Sequence, residues 1–178
     1  VHLVRHPFPA ADGGPRVRVG VLAVGNRFAG DDAIGPLVLD AVRDDLPAGV
    51  PAVELDGEPA RILDAWDGLD AVVLVDAASS GMPVGTVHRV DLEPPCAPTV
   101  LPARGGTSSH AAGVAEALGL GRTLGRVPAT VIVLAVEGRR FGPGEAPSTA
   151  VAAAVDGVAR AVERAGGGRA GQGQAGAA

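Results

Sequence analysis

Lysine and tyrosine are absent from this 178-residue chain, and Cys96 is its only cysteine. A lone cysteine excludes an intramolecular disulfide and a zinc site built on cysteines. It stands in Pro94-Pro95-Cys96-Ala97-Pro98 with no activating base nearby in sequence, and reads as a surface-loop thiol. Aromatic residues make up only 2 %, although hydrophobic residues reach 47 %. The core must therefore be built from Val, Leu, Ile and Ala, which suits a buried, mostly parallel sheet covered by helices. A basic excess is also missing. The formal net charge is -5, so no nucleic-acid partner is expected, because phosphate neutralisation calls for a positive patch. No apolar run approaches membrane-spanning length, and Val1 to Arg16 holds no apolar signal-peptide core. The expectation is a cytoplasmic protein with no membrane partner.

What is present is an alternation of apolar runs with helical patterns. Val17–Val24, Ala71–Val75 and Thr130–Val136 are β-branched runs that read as buried strands. Ala52–Leu55 and Thr86–Val90 read as shorter strands, the latter leaving His88 exposed or half-buried. Asp31 and Asp32 are suited to a helix start, followed by Ile34, Leu37, Val38, Ala41 and Val42 at helical spacing. Ala60–Trp66 reads as a short helix. Thr107, Ser108 and Ser109 offer caps for a helix reaching about Leu124, and Ser148 caps a last one. Glu93–Gly106 is rich in Pro and Gly and reads as irregular. The fold class expected is α/β, a three-layer sandwich with a mostly parallel sheet and helices on both faces. Residues 1–16 read as an N-terminal extension, 17–165 as a single domain, and 166–178 as a disordered tail too poor in apolar residues to offset its ordering entropy.

Several catalytic signatures are missing. No HExxH, no GxSxG elbow and no phosphate-binding GxxxxGK[ST] loop occur, and the first strand leads to Gly25-Asn26 rather than to a GxGxxG turn, so a dinucleotide fingerprint fails. Three other positions share one topological address. Asp32 follows the first strand, Asp76 follows the Ala71–Val75 run, and His110 opens the long helix. With parallel strands, all three can meet at the carboxyl edge of the sheet, where sites in such folds gather. Two carboxylates and a neutral imidazole suit a divalent transition metal. Taken singly, Asp32 reads as a helix-start charge and His110 as a capping or surface residue. Asp76 is harder to dismiss, because a bare carboxylate at the end of so apolar a strand is costly. Asp56-Gly57 reads on its own as a turn.

At these same residues the chain resembles the hydrogenase maturation endopeptidases. The matched stretches are Val24-Gly25-Asn26 with Gly30-Asp31-Asp32-Ala33-Ile34-Gly35, then Asp56-Gly57, then Val75-Asp76-Ala77 with Pro83-Val84-Gly85-Thr86, and finally Ser108-Ser109-His110 with Gly113 and Glu116-Ala117-Leu118. Their order and intervals make the resemblance specific. Arg27-Phe28-Ala29 departs from it, since the family often carries aliphatic residues there, and Asp32 stands where Glu is frequent. The resemblance implies an aspartyl-type or metal-dependent endopeptidase that cuts the C-terminal extension from the nickel-loaded large-subunit precursor of a nickel-iron hydrogenase. It implies Asp32, Asp76 and His110 as contacts to nickel, Asp32 and Asp76 as catalytic groups, and Gly25, Asn26 and Asp56 as substrate-binding residues. The nickel belongs to the precursor, so no stored cofactor is implied, and the protein is expected to be a monomer. Two other functions fit parts of the pattern: a nickel-dependent chaperone that binds the precursor without cutting, and an enzyme like peptidyl-tRNA hydrolase. The acidic balance counts against the second.

Overall fold

The computed structural model describes residues 17–92 and 109–166. Cys96, the Pro-rich stretch, the N-terminal extension and the Gly/Ala-rich tail lie outside them, apart from Gly166 at the end of the last helix. Among the described residues, five strands form one sheet: β1 Val19–Val24, β2 Ala52–Leu55, β3 Ala71–Ala78, β4 Val87–Leu92 and β5 Thr130–Glu137. The spatial order is β2-β1-β3-β5-β4. The first four of these run parallel, and β4 pairs antiparallel with β5 at the edge. Four α-helices among the described residues cover the sheet: α1 Ile34–Val42, α2 Pro59–Ala65, α3 Ser109–Leu124 and α4 Thr149–Gly166. This is the α/β sandwich expected from the alternation of runs.

Successive strand residues face opposite ways, and the core divides accordingly. Val21, Ala23, Val73, Val75, Ile132 and Leu134 pack with α1 and α4. Leu22, Val24, Val72, Leu74, Val131 and Val133 pack with α2 and α3, where Trp66 is the largest side chain. All six residues of β1 and all eight of β3 are buried, which is why these runs are continuously apolar rather than alternating. β4 alternates between exposed and half-buried positions, as an edge strand must. No helix among the described residues is long and apolar enough to cross a membrane.

The structure adjusts several expected boundaries. β3 continues past Val75, so Asp76 lies within the strand rather than after it. The Asp31-Asp32 pair does not open α1 directly. Both residues lie in a 3-10 turn, Gly30–Ala33, and neither the turn nor α1 has a side-chain cap. Ser148 does cap α4, its hydroxyl accepting a 3.4 Å bond from the Val151 N–H.

Candidate active site at the carboxyl edge of the sheet

From β1 the chain leads to β2 on one side, while β3 lies on the other. The carboxyl ends of β1 and β3 therefore flank the point where the strand order reverses, the preferred place for a ligand crevice in an open α/β sheet. Asp32 and Asp76 both belong to this point.

Asp32 is brought there by a tight return of the chain. Gly25 follows β1 with φ 142°, and a Cβ on it would lie 2.1 Å from the Asp32 carbonyl oxygen. Only glycine admits that approach. The Asn26 N–H donates to Asp32 Oδ2 at 2.8 Å, a charge-assisted bond that fixes the carboxylate. Asn26 Oδ1 in turn accepts from the Phe28 N–H at 2.9 Å. Arg27 grips the same loop from outside: its Nε donates to both oxygens of Glu54, and its terminal nitrogens reach Asp40 at 2.5 and 2.8 Å. The two carboxylates hold the Arg27 guanidinium well above its ordinary pKa, the hydrogen bond to Asp40 being the larger cause and that to Glu54 the second. Gly35 closes the arrangement, because its α-carbon faces the carbonyl oxygens of Val24 in β1 and Val75 in β3.

Asp76 is 3 % exposed and Asp32 6 %. Within β3, Asp76 has the parity of Val72 and Leu74, which pack on the α2–α3 side, so its side chain faces that layer. Its Oδ1 accepts from the Ala77 N–H at 2.8 Å. On the same side, α3 begins with Ser109 and His110. Three residues further, Gly113 meets the turn after β2: a Cβ there would lie 1.9 Å from the Gly57 carbonyl oxygen. The neighbouring Asp56 carboxylate accepts from Arg61 at 2.9 Å and from the Glu58 N–H at 3.3 Å, at the start of α2. The first turn of α3 is thus laid against the carboxyl end of β2, on the edge that carries Asp32 and Asp76. Gly25, Asn26 and Asp32 are in direct contact, whereas Asp56 is engaged locally with Arg61. Among the described residues no three His, Cys, Asp or Glu side chains gather as metal ligands.

Two buried carboxylates were not singled out by the sequence reading. Asp31 is fully buried and turns away from Asp32. Its Oδ2 accepts from the Arg139 and Arg140 N–H groups at 2.8 and 3.0 Å, and its Oδ1 from the Ser148 N–H at 2.7 Å. Burial alone would raise the Asp31 pKa, but the bonds from Arg139, Ser148 and Arg140 outweigh it and hold the carboxyl below its ordinary value. Glu137, 1 % exposed, accepts from the Ser80 and Gly81 N–H groups at 2.6 and 2.7 Å and from the Ser80 hydroxyl at 2.9 Å. His88 Nε2 stands 3.6 Å from it. Glu137 follows an apolar run, as Asp76 does, so the argument that marked one carboxylate marks the other.

The fold has close counterparts among solved structures. A hydrogenase-maturating endopeptidase, HybD from E. coli, superposes with TM-score 0.67 at 26 % identity, over 82 % of this chain and 89 % of that one. The chain has the fold of the hydrogenase maturation endopeptidases. A second Escherichia coli endopeptidase superposes on this fold with TM-score 0.68 at 21 % identity, over 83 % of this chain and 91 % of its own. The [NiFe] hydrogenase maturation protease HybD from Thermococcus kodakarensis gives 0.65 at 22 %, over 84 % and 99 %. By sequence, no protein-family profile and no curated protein matches the chain. The endopeptidase fold is therefore shared far more clearly than the sequence, and it agrees with the resemblance carried by the four matched stretches.

Proposed function

We propose that this chain is an endopeptidase that removes the C-terminal extension from the nickel-loaded large-subunit precursor of a nickel-iron hydrogenase, acting as a monomer in the cytoplasm. The observation that carries the reading is the burial of Asp32 and Asp76 at neighbouring strand ends, beside the first turn of α3, in a fold shared with maturation endopeptidases. Asp32, Asp76 and His110 would contact the nickel that the precursor brings, with Gly25, Asn26 and Asp56 bordering the bound chain. The nickel is then part of the substrate, and a precursor without it lacks the group that these ligands recognise.

The chemistry asked of the site is hydrolysis of one peptide bond. A carboxylate at this edge can take the proton of the attacking water, provided the substrate carbonyl is held within hydrogen-bond reach. Our reading gives that role to Asp32 or Asp76. The Asn26 N–H keeps Asp32 oriented, so the geometry exists before substrate arrives, which lowers the cost of reaching the transition state.

The test is a processing assay with nickel-loaded and nickel-free precursor, read by mass spectrometry. The unmutated protein should release a C-terminal peptide only from the loaded form. Asp76→Asn and His110→Ala should abolish release while keeping the circular-dichroism spectrum. A precursor that binds but stays intact would replace the peptidase with a non-cleaving chaperone.

A further inference from the structure

The turn that carries Asp32 also carries Asp31, and Asp31 is tied to a different part of the molecule. The loop between β5 and α4 lies directly on this turn. Besides the three bonds to the Asp31 carboxylate, the Asp31 N–H donates to the Arg140 carbonyl at 2.6 Å, the Gly30 N–H to the Glu145 carbonyl at 3.0 Å, and the Gly144 N–H to the Phe28 carbonyl at 2.6 Å. Contact is close enough that a Cβ on Gly138 would stand 2.7 Å from Asp31 Cβ and 3.0 Å from the Phe141 ring. Asp31 thus holds both ends of the loop, Arg139-Arg140 at its start and Ser148 at its close.

That loop forms one wall of a cavity of about 250 Å³, contributed by Gly138, Arg139 and Phe141. Ser79, Gly81, Met82 and Val84, which follow β3, form the other. The second wall is held by Glu137, through the Ser80 and Gly81 N–H groups. Each wall therefore hangs on one buried carboxylate. The cavity opens at the carboxyl edge of β3 and β5 on the α1–α4 side, where Val84 and Phe141 pack, whereas Asp76, three residues before Ser79, faces α2 and α3. Its volume is below the roughly 300–1,000 Å³ of pockets that enclose a whole small ligand, and it suits a single side chain of a polypeptide.

We infer that this cavity receives one side chain of the precursor, from the part of the bound chain that crosses the carboxyl edge of the sheet to the α1–α4 side, and that Asp31 is the positioning residue for its loop wall. The inference rests on the processing reading above. Asp31 touches no reacting atom. It acts by keeping the loop in the place where a bound chain can use it, so its loss weakens binding more than it slows the chemical step. Asp31→Asn is the natural perturbation. The donors converge on both carboxylate oxygens, and an amide presents only one acceptor, so its NH2 must face an N–H.

Hydrogen exchange needs no substrate and reports the tie itself: the Arg139, Arg140 and Ser148 amides should exchange at least about tenfold faster in Asp31→Asn. With nickel-loaded precursor, KM should rise about tenfold while kcat stays within about twofold. Gly138→Ala, which pushes the loop away while leaving Asp31 intact, should give the same split. In a glycine scan of the precursor residues flanking the cut, the Asp31→Asn effect on KM should disappear at one position, because there is then no side chain left for the wall to hold. Unchanged exchange would show that Asp31 does not hold the loop. Faster exchange with unchanged KM would show that the cavity does not hold substrate, and a fall in kcat alone would move Asp31 into the chemistry. Failure of the unmutated protein to cut would instead strike the processing reading, and the cavity's occupant with it, while exchange still decides whether Asp31 holds the wall.

Discussion

Helix α3 contains three glycines that meet different surroundings, so one chemical change should give three different results within one helix. At Gly113 an added Cβ would lie 1.9 Å from the Gly57 carbonyl oxygen, about 1.5 Å short of ordinary contact. The obstacle is backbone, in a turn where Gly57 itself has φ 82°, so it cannot swing aside as a side-chain tip would. Overpacking of this kind costs about 3 kcal/mol, at the upper end of its usual range. The gain in helix propensity from Gly to Ala returns about 1 kcal/mol. Gly113→Ala should therefore lose about 2 kcal/mol, or roughly 4–8 °C in Tm for a chain of this size. At Gly119 nothing lies within 4 Å, and the same substitution should gain about 0.5–1 kcal/mol. Gly121 is intermediate: the added carbon would meet Val127 Cγ2 at 2.9 Å and Leu63 Cδ1 at 3.2 Å. Both are side-chain ends that can move, so gain and loss should cancel to within about 1 kcal/mol. Urea denaturation of the three variants measures this, with the m-value expected to stay constant. Gly113→Ala should also shift the turn that bears His110, and a displacement of about 1 Å in a catalytic constellation can cost on the order of a hundredfold in rate. If Gly113→Ala proved as stable as Gly119→Ala, the close approach of α3 to the Gly57 turn would be wrong. The placement of His110 at the carboxyl edge would fall with it.

Other outcomes are expected elsewhere in the molecule. Asp31 has a lowered folded-state pKa, so it adds stability that is complete above about pH 4, the unfolded value, and is lost as pH falls through the folded value. Acid titration of Asp31→Asn by circular dichroism should show a shallower loss over that range than the unmutated protein. Arg27→Gln removes the grip on Glu54 and Asp40, but these side chains are about a third to a half exposed. It should cost no more than about 1 kcal/mol, and less at high salt, by urea titration at two ionic strengths. Phe28 is 75 % exposed, so Phe28→Ala should leave Tm within about 2 °C. Since Phe28 stands on the loop that holds Asp32, the same variant should raise the KM for precursor.

Much of this architecture is legible in the sequence because burial is so complete at the centre of the sheet. Runs such as Ala71–Val75 have no polar position to mark an exposed face, and that alone places them between two helical layers. The same logic made Asp76 conspicuous. It applied equally to Glu137, whose position only became meaningful once the Ser80-Gly81 turn was seen to fold over it. Asp31 was not legible in this way. Which of two consecutive aspartates turns inward depends on the phase of a 3-10 turn, and its donors lie more than a hundred residues downstream. The direction of β4 was equally hidden, since alternation between exposed and half-buried residues marks an edge strand without saying which way it runs. Arg27, a departure from the family's usual aliphatic choice, gained its role only when β2 and α1 brought Glu54 and Asp40 to either side of it.

Trp66 is the only tryptophan, and the chain has no tyrosine. The indole is fully buried, and its Cζ2 would stand 3.4 Å from a Cβ on Gly121, so it leans on the backbone of α3. Nearly all ultraviolet emission of the protein therefore comes from one ring in the layer beneath the helix whose first turn carries His110. A change of emission on mixing with precursor would register movement of that helix in real time, with no label attached and with the opposite α1–α4 layer optically silent.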